Sequence, residues 1–321
     1  MPKKISIIIP LYNLEGLIGK CIASALDQDL PPEEYEVIVV DDGSTDGSLA
    51  AAQRAACGHA NVQVHAKPNE GVSLARNYGT ERAAGRYVMY VDADDYLSPS
   101  VLGGLTQIMD RERLDMLCFD MAGVDEHGGD LPLWSDGLFA RGGGEVQSGR
   151  DFLRRDCFLP MACAYLYDRA MLERHELGML PMRHEDEEFT PRAIYFAKRI
   201  RYVPIRAYNY LQHNGSFMGS YDPQRRSDFV RAMKSLTGFA ARIEESDPEG
   251  ARLMRLHVGK TMFFACKQTI LGRQGNAREM LRDARQQGVL PLAFRRYNFR
   301  HFLINRAPAL FVLYYRLHKR R

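Results

Sequence analysis

Four short apolar runs separated by helical segments constrain the fold of this chain more than any other feature. The strand-like runs lie at 5–9, 35–40, 62–65 and 87–91, and segments with helical spacing lie between them at 16–28, 47–57 and 72–84. Continuous β-branched runs are typical of strands buried on both faces. The alternation predicts an α/β fold with a mostly parallel sheet, right-handed crossovers and flanking helices.

Polar residues follow three of these predicted strands at the point where each strand ends. The clusters are PLYN at 10–13, DDGSTDGS at 41–48 and DADD at 92–95. In open parallel sheets, ligands bind beyond the carboxyl ends of the strands. We therefore expect the three clusters to converge on one edge, where the turn-forming Gly, Ser and Thr let the chain bend away from a carboxylate.

DADD is the sharpest chemical signal in the chain. Two carboxylates one residue apart at a strand end can share a divalent cation, and hard oxygen ligands suit Mg²⁺ or Mn²⁺. The same letters also fit a turn in which Asp95 or Ser98 caps the helix predicted at 99–110. A second acidic strand end at 41–42 favours the cation, because clustered carboxylates repel one another unless a positive group joins them.

The segment NEGVSLARNYG at 69–79 places a cation near the acidic edge. Arg76 lies on a predicted helix that starts there, so its guanidinium can meet phosphate oxygens or brace an aspartate. Gly71 lets the backbone approach a ligand closely. The alternative is an ordinary capped helix with a surface arginine.

HEDEEF at 184–189 puts four consecutive acids into an otherwise apolar and aromatic segment. Repulsion and partial burial would suit one of them to act as a general base. The alternative is an exposed helix N-terminus, where the dipole favours acids. Thr190 and Pro191 have the pattern of an N-cap followed by the first helical residue, which would place the acids just before the helix.

The N-terminal third resembles the family-2 inverting glycosyltransferases of the GT-A fold. PLYNLE, EVIVVDDGSTDGS and NEGVSLARNYGTERAAGRYVMYVDADD carry the resemblance over residues 4–105, with order and spacing intact. HEDEEF resembles the later family motif whose acidic pair ends in the catalytic base, and YNYLQHNGSFM resembles the segment that closes the catalytic domain. The resemblance implies a GT-A type catalytic domain at 1–221 and a helical C-terminal region at 222–321.

On the donor side, the resemblance implies contacts to a UDP-sugar. Pro10 and Tyr12 would frame the uracil, and Asp42 would bind the base. Asp92 would touch the ribose side, and Arg76 would support the phosphate region.

The resemblance also implies a metal site and a base. Asp94 would hold Mn²⁺ or Mg²⁺ on the diphosphate, with Asp95 nearby. His213, a lone histidine in a polar loop, is either structural or a further metal or diphosphate contact. Asp186 would take the proton from an acceptor hydroxyl, and Glu185 would contact the acceptor or position that base.

Composition excludes few classes but sets the expected compartment. The net charge is +3, and the six cysteines form no C-x-x-C pair, so reduced cysteines in a cytosolic protein are expected. The N-terminal apolar stretch is too short for a signal peptide, and no run approaches the roughly 18 to 20 apolar residues of a spanning helix. We expect a cytoplasmic chain, either free or peripheral on the inner face of the membrane.

The C-terminal tail is basic and aromatic. After Asp283 the sequence holds no acidic residue but nine basic ones: Arg285, Arg295, Arg296, Arg300, Arg306, Arg316, Lys319, Arg320 and Arg321. One interpretation is an interfacial segment on an anionic leaflet. The other is a helical subdomain that packs its aromatics inward. No nucleic-acid motif accompanies the charge, so nucleic acid is not expected as a partner.

The leading hypothesis is transfer of a hexose or N-acetylhexosamine from a UDP-sugar to a hydroxyl of a saccharide or lipid-linked acceptor. The transfer would proceed with inversion, in surface polysaccharide biosynthesis. A nucleotidyltransferase would want a Gly-rich phosphate loop after the first strand, which PLYNLEGLIGK does not resemble. No G-x-G-x-x-G follows that strand either, which argues against a dinucleotide-binding oxidoreductase. A non-catalytic nucleotide-sugar binding module would tolerate loss of Asp186, and the intact acids argue against it.

Overall fold

The computed structural model describes residues 2–133, 135–212, 223–272 and 276–318. The chain divides into two compact units. The first comprises Met1–Pro181 and Arg192–Ser216, and the second comprises Met182–Pro191 and Phe217–Arg321.

The first unit begins with the predicted parallel strands. These are β1 (Ile5–Leu11), β2 (Tyr35–Asp41), β3 (Val62–Ala66) and β4 (Tyr87–Tyr90). They are joined by α1 (Ile18–Leu26), α2 (Ser48–Ala56) and α3 (Val72–Arg82). β1 lies between β2 and β4, and β3 extends the sheet beyond β2, all in parallel. Every residue of β1 and β2 is buried, as their apolar runs indicate.

The second half of this unit adds strands of both directions. Its strands are β5 (Tyr96–Leu97), β6 (Met116–Val124), β7 (Asp130–Leu131), β8 (Tyr165–Asp168) and β9 (Ile200–Leu211). Its helices are α4 (Leu102–Glu112), α5 (Gly149–Arg155) and α6 (Arg169–Arg174). Helix α7 (Glu185–Phe196) begins in the second unit and ends in the first, which resumes at Arg192. Within the described residues the sheet order is β3-β2-β1-β4-β8-β6-β9-β5, with β7 paired to β6.

The sheet is therefore parallel at its N-terminal side and mixed beyond β4. β8 runs antiparallel to both β4 and β6, whereas β6 and β9 are parallel. Neither β8 nor β9 was predicted from the sequence. Both strands are rich in tyrosine, which favours pleated, half-buried surfaces, and their pairings are set by contacts remote in sequence.

Helix α3 packs closely against the sheet because it presents a glycine to it. A Cβ on Gly79 would lie 2.5 Å from Cγ2 of Ile8 in β1. The Thr80 and Tyr90 hydroxyls are also 2.9 Å apart and join α3 to β4. These two contacts hold α3 against β1 and β4.

The described part of the second unit is helical after residue 222. Its helices are α8 (Pro223–Ile243), α9 (Pro248–Gly272), α10 (Ala277–Gln286), α11 (Phe299–Arg306) and α12 (Pro308–Leu317). Phe263 on α9 contacts the rings of Phe294 and Phe311, which ties the C-terminal helices to α9. None of the helices in the described ranges has the length and apolar content needed to cross a bilayer.

Candidate functional site

The first two polar clusters meet at the carboxyl edge of the sheet. The Asp42 N–H donates to the carbonyl of Leu11 over 2.8 Å, which joins the ends of β2 and β1. The Asn13 side chain accepts from the Thr45 N–H at 2.8 Å, and the Asn13 N–H donates to Ser44 Oγ at 3.0 Å. PLYN and DDGSTDGS thus form one cross-linked edge.

A partly exposed aromatic ring and buried polar groups lie side by side at this edge. Pro10 is paired with Val40 inside the sheet, whereas the Tyr12 side chain just beyond β1 is 48% exposed. Asp41 is buried, and one of its oxygens accepts from the Ser44 N–H at 3.2 Å. Its other oxygen, Oδ1, is buried with no hydrogen-bond donor among the described residues. The edge therefore combines an open π face with an acceptor atom.

Asp42 is held by the loop that leads into α3. Its Oδ1 accepts from Lys67 Nζ at 2.7 Å and from the Glu70 N–H at 3.0 Å, and its Oδ2 accepts from the Gly71 N–H at 2.7 Å. Gly71 has φ +95°, a conformation that favours glycine and turns the chain into α3. A carboxylate offers about four lone-pair positions, so three donors leave Asp42 able to accept one more.

Arg76 braces the third cluster. It lies on α3, is buried, and its Nη2 is 2.6 Å from Asp92 Oδ1. The next residue, Asn77, exchanges two hydrogen bonds with the backbone of Met179, at 2.8 and 2.9 Å. Because Arg76 is buried, the alternative of an ordinary surface arginine is excluded. The guanidinium of Arg76 is a positive charge beside the acidic turn.

Asp95 faces the sheet rather than the solvent. Its carboxylate accepts from the Tyr208 hydroxyl at 2.6 Å and from the Leu211 N–H at 2.8 Å, both on β9. The Tyr208 oxygen also accepts from the Asp92 N–H at 3.1 Å. Burial, and then repulsion from Asp94 and Asp92, raises the pKa of Asp95 well above its usual range. Nearby positive charge would relieve that repulsion.

The donor set of the acidic turn fits a hard divalent cation. Three carboxylates stand within residues 92–95, and Asp94 is half-buried. Asp92 is engaged by Arg76 and Asp95 by β9, and carboxylate oxygens are the type of ligand that Mg²⁺ and Mn²⁺ prefer. Within 2–133, 135–212, 223–272 and 276–318, no three His, Cys, Asp or Glu side chains are grouped as a metal site.

The later acidic motif belongs to the second unit and opens α7. Glu185, Asp186, Glu187 and Glu188 form the first turn, and Pro191 lies inside the helix. The expectation that Thr190 and Pro191 begin the helix is wrong. The acids are favoured by the N-terminal dipole, and this outweighs the usual preference of proline for the first helical position.

Within this first turn the acids differ in their surroundings. Glu185 and Glu188 are buried, and Glu188 accepts from Ser235 Oγ on α8 at 2.8 Å. His184 hydrogen-bonds to Glu187, and Asp186 is half-buried. Asp186 therefore keeps part of its surface open, as an acid–base group requires. His213 lies outside the described residues.

Two side chains that brace the edge were missed from the sequence. Lys67 stands in KPNEG, just before the segment that was singled out, so a basic residue near Asp42 was the available signal. Tyr208 is the first residue of YNYLQHNGSFM, but the motif did not indicate its contact with the acidic turn, because that contact depends on the pairing of Leu97 with Tyr208 between β5 and β9.

Known proteins similar to this chain include several glycosyltransferases. The poly(ribitol-phosphate) beta-glucosyltransferase of Bacillus spizizenii is 29% identical over 259 residues, which is 79% of this chain and 39% of the relative. The uncharacterised glycosyltransferase YibD of Escherichia coli K12 is 31% identical over 224 residues, which is 66% of this chain and 62% of the relative. The chain thus spans less than two thirds of the length of these relatives.

Solved structures share the fold. Staphylococcus aureus TarS 1–349 in complex with UDP matches with a TM-score of 0.74 at 22% identity, covering 98% of this chain and 89% of that chain. The likeness confirms the predicted GT-A type fold. The model of the family described as Glycosyl transferase family 2 matches residues 6–174, just over half of the chain. This chain belongs to glycosyl transferase family 2.

Proposed function

We propose that this protein transfers a hexose or N-acetylhexosamine from a UDP-sugar to a hydroxyl of a saccharide or lipid-linked acceptor, with inversion. The observation that carries the proposal is the linked edge in the first unit. There Asp42 accepts a hydrogen bond from the Gly71 N–H, and Arg76 on the helix after Gly71 pairs with Asp92, in a member of family 2. The edge offers polar contacts for a base, a ribose and a diphosphate in sequence.

The uracil site is assigned to the part of the edge formed by β1 and β2. Pro10 and Tyr12 frame the ring, and the half-exposed Tyr12 supplies a face on which a flat base can stack. Asp42 accepts a hydrogen bond from the base with its remaining acceptor position. The TarS structures in complex with UDP and UDP-GlcNAc support a uridine nucleotide as donor.

The diphosphate site is assigned to the acidic turn. Asp94 holds Mn²⁺ or Mg²⁺, Asp92 contacts the ribose side, and Arg76 adds positive charge near the phosphates. The ion neutralises charge on the departing diphosphate. Asp95 serves this site indirectly, since its contacts with β9 fix the shape of the turn. His213 stays a candidate for a further metal or diphosphate contact.

The proton from the acceptor hydroxyl is assigned to Asp186. An inverting displacement needs a base for the attacking hydroxyl in addition to charge neutralisation on the leaving group. Asp186 retains exposure in the first turn of α7, whereas Glu185 is buried beside it and is assigned to positioning that base or contacting the acceptor.

The acceptor is proposed to be a growing surface polymer. The Bacillus spizizenii relative and Staphylococcus aureus TarS are named for transfer to poly(ribitol-phosphate). A polyol-phosphate or polysaccharide hydroxyl is therefore the acceptor class to try first. The proposed location is the cytoplasm, with the protein either free or peripheral on the inner face of the membrane.

The test is turnover of a panel of UDP-sugars with Mn²⁺, measured as UDP release. Wild type, Asp94→Ala and Asp186→Asn are compared. We expect release by wild type, loss in both variants, and donor binding retained in Asp186→Asn. A module that only binds nucleotide sugars would bind a UDP-sugar with metal and release no UDP from any member of the panel. A chain that binds no UDP-sugar would contradict the proposal.

A further inference from the structure

Helices α11 and α12 expose large apolar side chains on the side that faces away from α9. Five of them define what we call the C-terminal apolar surface: Phe299, Phe302, Leu310, Leu313 and Leu317. Their exposed fractions are 64, 48, 55, 45 and 71%. A helix at the surface of a globular protein ordinarily pairs one apolar stripe with a polar opposite face.

The inner sides of the same helices are apolar as well. Leu303 and Ile304 of α11 and Phe311, Val312 and Tyr315 of α12 are buried. α12 carries one charged residue, Arg316, in ten. A helix that is apolar on nearly all sides, as α12 is, is normally enclosed. The outer side therefore needs a covering that these helices do not provide for themselves.

The exposed side chains form one continuous surface. The rings of Phe299 and Tyr314 lie 6.3 Å apart and connect the two helices. Leu310 and Leu317 lie one turn before and after Tyr314, and Phe302 lies one turn after Phe299. The patch is thus built from neighbouring residues of a helical pair rather than from scattered positions.

Arginines border this surface. Arg306 lies seven residues after Phe299, on the outer side of α11, and is exposed. Arg316 is exposed between Leu313 and Leu317 on α12. Arg300 lies over the Tyr314 ring with 5.8 Å between its Cζ and the ring centre. No acidic residue follows Asp283 in the sequence, so nothing on α11 or α12 offsets their positive charge.

We propose that the C-terminal apolar surface lies in the interfacial region of an anionic membrane. Exposed phenylalanine and leucine bordered by arginine is the combination with which helices bind at the headgroup boundary. A soluble polyanion would engage the arginines and leave the apolar side chains in water. A second copy of the chain would bring two arginine-rich surfaces together, and their like charges would repel.

Vesicle sedimentation of the full chain tests this. Vesicles of phosphatidylcholine are compared with vesicles of phosphatidylcholine and phosphatidylglycerol, without nucleotide. We expect at least about tenfold stronger partitioning onto the anionic vesicles, weakened by added salt. This experiment is independent of sugar transfer, so its failure and the failure of the proposed function are separate results.

Two variants separate the apolar and charged contributions. The triple change Leu310→Ser, Leu313→Ser and Leu317→Ser keeps every arginine, and we expect it to lose about tenfold or more in partitioning. Arg306→Gln with Arg316→Gln should lose about tenfold. The matched control, Arg54→Gln with Arg174→Gln, removes two exposed arginines of the first unit and should partition as wild type.

The fold is checked in each variant by circular dichroism and thermal midpoint, which exposed positions should leave unchanged. Four outcomes would overturn the proposal. The first is no binding of wild type to anionic vesicles. The second is undiminished vesicle binding by the triple serine variant. The third is binding to soluble polyphosphate that replaces vesicle binding. The fourth is a wild-type dimer in solution that the triple variant converts to a monomer.

Discussion

At the residue scale, the sheet edge is held by buried charges whose partners are backbone and side-chain donors. Asp42 is the clearest example, because its side chain is 3% exposed and is joined to Lys67, itself 9% exposed. A buried carboxylate is tolerated only with such donors. The loop from Lys67 to Gly71 therefore stabilises the buried Asp42 carboxylate, in addition to any contact with a ligand.

Lys67→Met tests how much the ion pair with Asp42 stabilises the fold. Removing one partner of a buried ion pair leaves the other charge uncompensated, so we expect a loss of about 3 kcal/mol in the free energy of unfolding, reduced if the two backbone donors suffice. Urea denaturation measures it. Lys4→Met is the control, since its bridge to Glu34 is partly exposed, at 43 and 20% of the two side chains, and should be worth under about 1 kcal/mol. Equal losses in the two variants would contradict the account.

Tyr208→Phe tests whether the acidic turn is positioned from β9. The change removes the donor to Asp95 and the acceptor for the Asp92 N–H. We expect a loss of about 1 to 3 kcal/mol in stability and at least about tenfold slower UDP release, since the turn that holds the diphosphate loses its brace.

Tyr165→Phe is the matched control for that change. The Tyr165 hydroxyl is buried as well, but it donates to the carbonyl of Leu159, remote from the turn along the chain. It should lower stability by a comparable amount and leave UDP release unchanged. If both variants released UDP at the wild-type rate, Tyr208 would be structural only.

The sequence predicted which residues gather at the edge of the sheet but not which hydrogen-bond partners each of them has. PLYN, DDGSTDGS and DADD were expected together because parallel strands end at one edge. Lys67 and Tyr208 were missed, since one stands just outside the motif and the other arrives through a strand pairing more than a hundred residues away. Hydrogen-bond partners of buried groups depend on three-dimensional packing that a local pattern does not specify.

At the element scale, the close contact between α3 and β1 is possible because position 79 is a glycine and has no side chain. Gly79→Ala would place a methyl group 2.5 Å from Ile8 Cγ2 in a packed interface. We expect a loss of about 1 to 3 kcal/mol from overpacking, measured by denaturation, together with weaker UDP binding, because α3 carries Arg76.

Gly104→Ala is the matched control, because it lies in α4 and an added Cβ meets no atom within 4 Å. Alanine is the better helix former, so this variant should be up to about 1 kcal/mol more stable than wild type. A Gly79→Ala variant that gained stability like Gly104→Ala would show that the α3–β1 contact is not tight.

Local patterns predicted the elements of the first half and failed where long-range pairing decides. β1 to β4 and α1 to α3 have strand or helix periods that follow from their own residues. β8 and β9 were not predicted, and β9 takes its place in the sheet by pairing with β6 across some eighty residues. The start of α7 was placed at Thr190 and Pro191 because the proline signal was weighted above the acids that the helix dipole favours.

At the scale of the whole molecule, each unit carries a different proposed task. The first holds the mixed sheet, whose carboxyl edge supplies the proposed donor site. The second carries the acids of α7 and the helices with the C-terminal apolar surface. Fold and family are established by the sheet and the match to residues 6–174, whereas donor sugar and acceptor depend on loops whose chemistry follows no general rule.

The most direct test of the central claim is a calorimetric titration of UDP into the full chain, with and without Mn²⁺. The account predicts one site per chain, tighter binding with Mn²⁺, and loss of the Mn²⁺ effect in Asp94→Ala while binding without metal persists. That pattern would place the nucleotide at the edge and the ion at the acidic turn. No heat of binding in wild type, or an Mn²⁺ effect that survives Asp94→Ala, would contradict it.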